Sequence, residues 1–565
     1  MKATAERAER AEQNSSLRPL RSLRLLFRSL RLLFAAALLI AGAALSQARS
    51  LGQISFPNSG SPKAQPAFVR GVLLLHSFEY DDAIAAFREA QRTDPGFALA
   101  YWGEAMSYNQ PLWYNENLDK ARDVLRRLGP TRETRLAKAP TPREKGYVDA
   151  VERLYGDGTK RDRDRAYVDR MASLTREFPD DDEAKAFYAL ALLSTIGEGQ
   201  RNPEISLKAG GIVSAILEKN PDHPGAAHYA LHAYDDGEHA ALGLKAARIY
   251  ARIAPASSHA RHMPAHVFLP LGMWDDAAAS DESAFAASVD RVKRLGLSMA
   301  QADFHSLSWL HYEYLQQGRF TKAREVEKIV QDAIEAPSRL AAPAPPAHSA
   351  HAESEIGRGF STPSLKSELG SMRARRVIES GAWTEMKGQG SFENIDELFA
   401  LGEASVNVGD LARADAALEH LGNAARSVPD ADAREIASIM AAELDALLRL
   451  ARGDRAGSLN ASARASALEA NRPKPIARPY PIKPAGELHA EILLKTGDAQ
   501  GAMIEFQKAL ARTPRRAASL IGLARAAGKA GRMDDASKAA KEFLAVWHRA
   551  DAGRPELEEA ESIKK

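Results

Sequence analysis

The sequence predicts an all-α protein, a solenoid of helix-turn-helix repeats. Composition is the first reason: the chain is rich in Ala, Leu, Arg and Glu and poor in β-branched runs, which favours helix. A repeat period is the second. Pro221 and Pro255 stand 34 residues apart, as do His228 and His262, and His232 and His266. The third is the recurrence of small and large apolar residues at matching offsets before a proline, as in Gly71, Leu74, Ala83, Phe87, Ala90 and Pro95.

The 565 residues are enough for several domains or one long array. A net charge of +2 points to no nucleic-acid partner. The absence of cysteine excludes disulfides, thiol chemistry and a lipid-modified cysteine, and makes any transition-metal site one of nitrogen and oxygen donors.

Residues 1–48 read as a signal peptide or an N-terminal membrane anchor. Basic residues precede the apolar run Leu32 to Leu45, and Ser46-Gln47-Ala48 has a small-x-small cleavage pattern. The run is short for a membrane span, which takes about 20 residues. Export to the periplasm is the expected location, with an inner-membrane anchor as the alternative. Any membrane contact rests on this segment alone. Residues 49–63, rich in Gly, Ser and Pro, read as a linker.

Helical pairs then follow. Gly71 and Ala83 let two helices approach, Leu74 and Phe87 fill the gap, and Pro95 ends the second helix. Ala98, Tyr101, Ala105 and Tyr108 begin the next pair, which the Trp113–Asn117 segment interrupts. Further pairs end at Pro179, Pro221 and Pro255, and two more carry Trp274 with Ala277 and Leu310 with Ala323. The proline-rich stretch 336–370 reads as a loop between two arrays, 64–335 and 371–550. The second array contains a proline-rich surface excursion, Arg472 to Pro484, and its clearest repeat holds Leu493, Ala502, Phe506, Ala509 and Pro514. Residues 551–565 read as a frayed, charged tail.

These offsets resemble the tetratricopeptide repeat (TPR) family over most of residues 64–550. The resemblance implies a right-handed superhelix whose first helices line a concave groove, and a role in protein–protein contact. The segment HYALHAYDD…SSHARHMPAH resembles one in bacterial TPR proteins, a likeness that implies no activity.

The histidines carry the only chemical signal. Counted from each repeat's start, His228 and His262 share position 5, and His232 and His266 share position 9. His259 and His305 share position 2, and Tyr312 falls at position 9. Positions 2, 5 and 9 lie on one helix face. By the family resemblance that face lines the groove. His228, His232, His262 and His266 are therefore candidate ligands for Zn, Cu, Ni or Fe. Asp235 is a candidate further ligand or a group that orients a histidine. His259, His305, Tyr312, Trp102 and Asp235 are candidate residues of a ligand groove. Trp102 and Met106 would form its apolar end, with core packing as the plain alternative. His311 reads as local packing. No HExxH or GxSxG motif occurs, and no catalytic residue is assigned.

Two readings follow. One is an exported, non-enzymatic scaffold that takes a protein or peptide in its groove. The other is a metal-binding protein or metalloenzyme that uses the histidine cluster. A buried polar network is the third account of the same histidines.

Overall fold

The computed structural model describes residues 51–197, 201–335, 362–386 and 394–565. The segment read as signal or anchor lies outside these residues, as does most of the 336–370 loop.

The chain forms a succession of antiparallel helical hairpins. Its helices are α1 (Gln65–His76), α2 (Tyr80–Thr93), α3 (Ala98–Met106), α4 (Leu118–Leu128), α5 (Arg132–Ala137), α6 (Pro142–Leu154), α7 (Lys160–Glu177), α8 (Asp182–Ser194) and α9 (Pro203–Lys219). Next come α10 (Pro224–Ala233), α11 (Leu244–Ile253), α12 (Ser258–His262), α13 (Ala265–Phe268), α14 (Trp274–Leu295), α15 (Phe304–Gln316) and α16 (Phe320–Glu335). The remainder are α17 (Thr362–Ser380), α18 (Ile395–Asn407), α19 (Leu411–Ser427), α20 (Ala431–Ala451), α21 (Arg455–Ala470), α22 (Ala485–Thr496), α23 (Ala499–Arg512), α24 (Ala517–Lys529), α25 (Met533–Val546) and α26 (Pro555–Lys564). The interruption after α3 is a two-stranded antiparallel ribbon, Asn109–Gln110 against Asn115–Glu116.

Local chemistry explains the helix starts. Aspartates 181, 303, 410, 430, 454 and 498 each accept a backbone N–H of the helix that follows, meeting a donor the helix cannot satisfy itself. Small residues set the spacing between helices. A Cβ on Gly103 would stand 2.3 Å from the Phe87 ring, and one on Gly522 2.3 Å from Phe506. The tetratricopeptide-like hairpin expected from the offsets is thus what these residues build.

The division into two arrays is not confirmed among the described residues. One apolar core includes Phe304 and Leu307 of α15, Leu520 of α24, and Phe543 and Trp547 at the end of α25. Trp547 Nε1 donates to the Gln316 carbonyl at 3.0 Å, and Trp274 Nε1 to the Arg515 carbonyl at 2.9 Å. Arg516, buried, pairs with Glu487 at 2.8 Å and Glu379 at 2.6 Å, and donates to Tyr312 Oη at 3.1 Å. Helices far apart in sequence therefore share one interior, which the repeat pattern alone does not reveal.

Three boundaries also change. The expected linker 49–63 is packed where described: Leu51 and Phe56 are buried, and Ser59 Oγ donates to Glu144 at 2.7 Å. Two isolated apolar residues leave no periodicity to mark this. Helix α17 begins at Thr362, inside the stretch read as loop. The charged tail is helix α26, held by buried Ala560 and by Glu559 on Arg525 at 2.6 Å. Its charges face outward while one small residue packs inward. The proline-rich excursion is likewise half-buried. Its Arg478 donates to Glu368 at 2.7 Å and Arg201 donates to the Lys474 carbonyl at 3.0 Å.

Trp547→Ala is expected to cost about 3 to 5 kcal/mol, as for a buried aromatic truncation. The measurement is the urea midpoint of the full chain. An unchanged midpoint would show that the C-terminal hairpin contributes nothing to the shared core.

Candidate metal centre

Six histidines form two triads. His228 and His232 lie on α10 and meet His259 of α12; His262 of α12 and His266 of α13 meet His305 of α15. Within each triad the nitrogens lie within 4.8 Å of one another. The second HxxxH pair does not sit on one helix. Pro264 lacks an N–H and splits α12 from α13, yet the backbone stays helical enough to keep His262 and His266 on one side.

The hydrogen bonds fix which nitrogen faces inward. His228 Nδ1–H donates to the His76 carbonyl at 2.6 Å. Its Nε2 then carries a lone pair, 2.9 Å from His259 Nε2 and 3.1 Å from His232 Nε2. In the second triad His262 Nδ1–H points at Asp281 Oδ1, 2.6 Å away, and His266 Nδ1–H at Asp235 Oδ2, 2.8 Å away. Their Nε2 atoms face each other at 3.0 Å. With both Nδ1 atoms donating, two lone pairs meet unless a proton or a metal ion lies between them. Ligands about 2.0–2.1 Å from one ion, at angles of about 90–109°, stand about 2.9–3.3 Å apart. The observed spacings fall in that range.

The carboxylates lie behind the imidazoles, the usual place for groups that orient a metal-bound histidine. Asp281 is fully buried beside Glu313. Burial pushes both well above the usual carboxylate range.

Aromatic rings enclose each triad. Phe78 touches His228, His232 and His259, with centroids 4.3, 5.7 and 5.9 Å away. Trp309 touches His266, His262 and His305 at 4.5, 5.1 and 5.6 Å. Burial holds His228 down to about 3, and it lowers His232, His259 and His305 well below the ordinary imidazole range. These rings stay neutral at physiological pH, the form that binds metal.

A third cluster, His76, Glu183 and His223, is fully buried and closed by its own bonds. His76 Nε2–H meets Glu183 at 2.8 Å, while its Nδ1 stands 2.9 Å from Tyr229 Oη. His223 Nδ1 accepts the Ala226 N–H at 3.1 Å, which leaves its Nε2–H for Glu183 at 3.2 Å. Burial alone would raise Glu183, but the two imidazoles outweigh it and hold it down to about 2. This cluster braces the first triad, because the His76 carbonyl is what His228 holds.

The predicted groove is not an open one. His228, His262 and His266 are buried, and His232, His259 and His305 half-buried. Trp102 and Tyr312, expected in the groove, are each 1% exposed; Trp102 packs on Phe56, Tyr147 and Phe187, and Tyr312 bonds Arg516. Both are core residues, because the chain folds back over the face they occupy. Asp235 reaches His266, as the orienting alternative required. His259 and His305 complete the triads rather than a separate groove. His311 bonds Glu327 at 3.1 Å, the local role expected. Sequence reasoning missed His76, Phe78, Asp281 and Trp309. Trp309 lies four residues after His305, a spacing that would have placed it on the same face.

No family model and no curated protein matches the chain. Among solved structures it is similar to a human IFIT1 dimer with m7Gppp-AAAA, at 13% identity over 90% of this chain and 94% of that one, with a TM-score of 0.30. It is also similar to the APC/C hetero-tetramer Cut9-Hcn1, at 12% identity over 91% and 78%, with a TM-score of 0.27. The helical hairpins of this chain, not these likenesses, carry its fold assignment.

Depressed imidazoles make the metal-free fold acid-sensitive. Below about pH 6.5 the unfolded chain takes up protons that the folded triads refuse. Each such histidine then removes about 1.4 kcal/mol per pH unit, down to its folded value. Thermal melts of the metal-free protein between pH 7 and 5 should fall more steeply for wild type than for His232→Gln. Parallel slopes would show that His232 is not held neutral by the fold.

Proposed function

We propose that this chain is a binuclear transition-metal protein. His228, His232 and His259 hold one ion, and His262, His266 and His305 hold the other. The supporting observation is the convergence of six imidazoles in two triads, with the Nδ1 atoms of His228, His262 and His266 already committed elsewhere. Three imidazoles leave each ion an open coordination position. His259 and His262 are three residues apart on α12, so their Cβ atoms lie about 5–6 Å apart. The two triads thus share one short helix.

The donor set favours copper. Imidazole nitrogens suit Cu, Zn, Ni or Fe, and copper stands highest in divalent affinity. A cuprous pair, where bound by these histidines, would supply the two electrons that take dioxygen to hydrogen peroxide, with two protons from solvent. Redox chemistry on dioxygen is the reaction class this site offers. Export, expected from residues 1–48, would place it in the periplasm. A protein or peptide groove has less support, since the residues expected to line it are buried.

The test is metal content of untagged protein, with copper(I) and zinc titrations. About two equivalents should bind, copper(I) more tightly. His232→Ala and His266→Ala should each lose one equivalent, and the double variant both. The copper-loaded protein should consume dioxygen in the presence of a reductant. No tight uptake of any transition metal would overturn the proposal. Two zinc equivalents with no dioxygen uptake would move the reaction class to hydrolysis.

A further inference from the structure

One turn geometry recurs in seven hairpins. In each, the residue two places before the second helix has positive φ, and the next N–H bonds a carbonyl five residues back. In six hairpins that residue is glycine: Gly272, Gly318, Gly409, Gly453, Gly497 and Gly531, with φ between 66° and 103°. In the hairpin of α1 and α2 it is Phe78, at φ 59°. Glycine alone adopts this conformation without crowding between its side chain and the backbone. Six hairpins show that the turn needs no side chain. A bulky residue held there points to a task outside the turn.

The task is visible in what the ring touches. Phe78 is buried and contacts all three imidazoles of the first triad. His228 lies between Phe78 and Tyr250, whose ring stacks on it 5.1 Å away at 16°. The same turn region supplies the His76 carbonyl that accepts from His228 Nδ1. Trp309 is the counterpart in the second triad, where it touches all three imidazoles from an ordinary helix position. Each triad thus has one aromatic in contact with its three rings. At the first, that aromatic comes from a left-handed turn.

We infer that Phe78 is a positioning residue for the first metal centre: its ring, presented by the left-handed turn, packs the imidazoles of His228, His232 and His259 so that their Nε2 atoms converge. This rests on the reading of the triads as metal sites. Phe78 does not bind the ion. It sets the affinity and geometry of one centre and leaves the other unchanged.

The test uses the full chain and cobalt(II), whose visible spectrum reports coordination geometry. A His266→Ala background leaves the first centre, and a His232→Ala background leaves the second. In the first background Phe78→Gly should weaken cobalt binding at least tenfold and alter its visible bands, while Phe78→Tyr keeps both. In the second background Phe78→Gly should change affinity less than twofold. Unaltered affinity and spectrum in the first background would overturn the inference. So would equal losses in both backgrounds that track a fall in melting temperature, since the ring would then serve only the fold. If Phe78→Leu matches wild type in both readouts, apolar bulk suffices and the ring has no part, which also overturns it. A wild-type protein that takes up no cobalt, copper or zinc overturns the metal reading itself.

Discussion

The site depends on hydrogen bonds made at the outward nitrogens. A buried imidazole needs a place for each of its two nitrogens. Here His228 gives its Nδ1–H to a backbone carbonyl, and His262 and His266 give theirs to Asp281 and Asp235. Once those bonds exist, the Nε2 atoms of these three rings have no proton of their own to offer. In the second triad two such atoms face each other at 3.0 Å, about the separation that shared coordination imposes. A purely structural network would alternate donors and acceptors there, as the neighbouring His76–Glu183–His223 cluster does. The contrast between these clusters, a few side chains apart, is the strongest argument about what the triads are for.

The fold makes such a site affordable through rigidity. Successive hairpins present α10, α12, α13 and α15 side by side, so three repeats contribute to two adjacent triads. The C-terminal half then closes over the same region. Arg516 bonds Tyr312, Glu379 and Glu487, and Trp547 seats on the end of α15. Buried ion pairs of this kind add little net stability but are costly to break, which favours a single docking geometry for the two halves. A histidine held at both nitrogens and packed by aromatics has few other places to go.

Phe78 shows how local strain and a distant site are linked. Its backbone conformation is unfavourable for its residue type, and glycine fills the same place in six other hairpins. The compensation lies in the imidazoles of α10 and α12, 150 or more positions along the chain.

Much of the architecture was legible in the sequence, because helix pairing is local. The 34-residue step and the small residues at close crossings act within one or two hairpins. The shared register of His228 with His262, and of His232 with His266, was legible for the same reason: helical periodicity places them on one face. Other features were decided only by tertiary structure. Burial of Trp102 and Tyr312 and the packing of Leu51 and Phe56 come from contacts beyond a single hairpin, the Tyr312–Arg516 bond spanning 204 positions. So do the partner Phe78 and the sorting of six histidines into two triads. A periodic pattern records which side of a helix faces inward; it carries no record of which other chain segment arrives there.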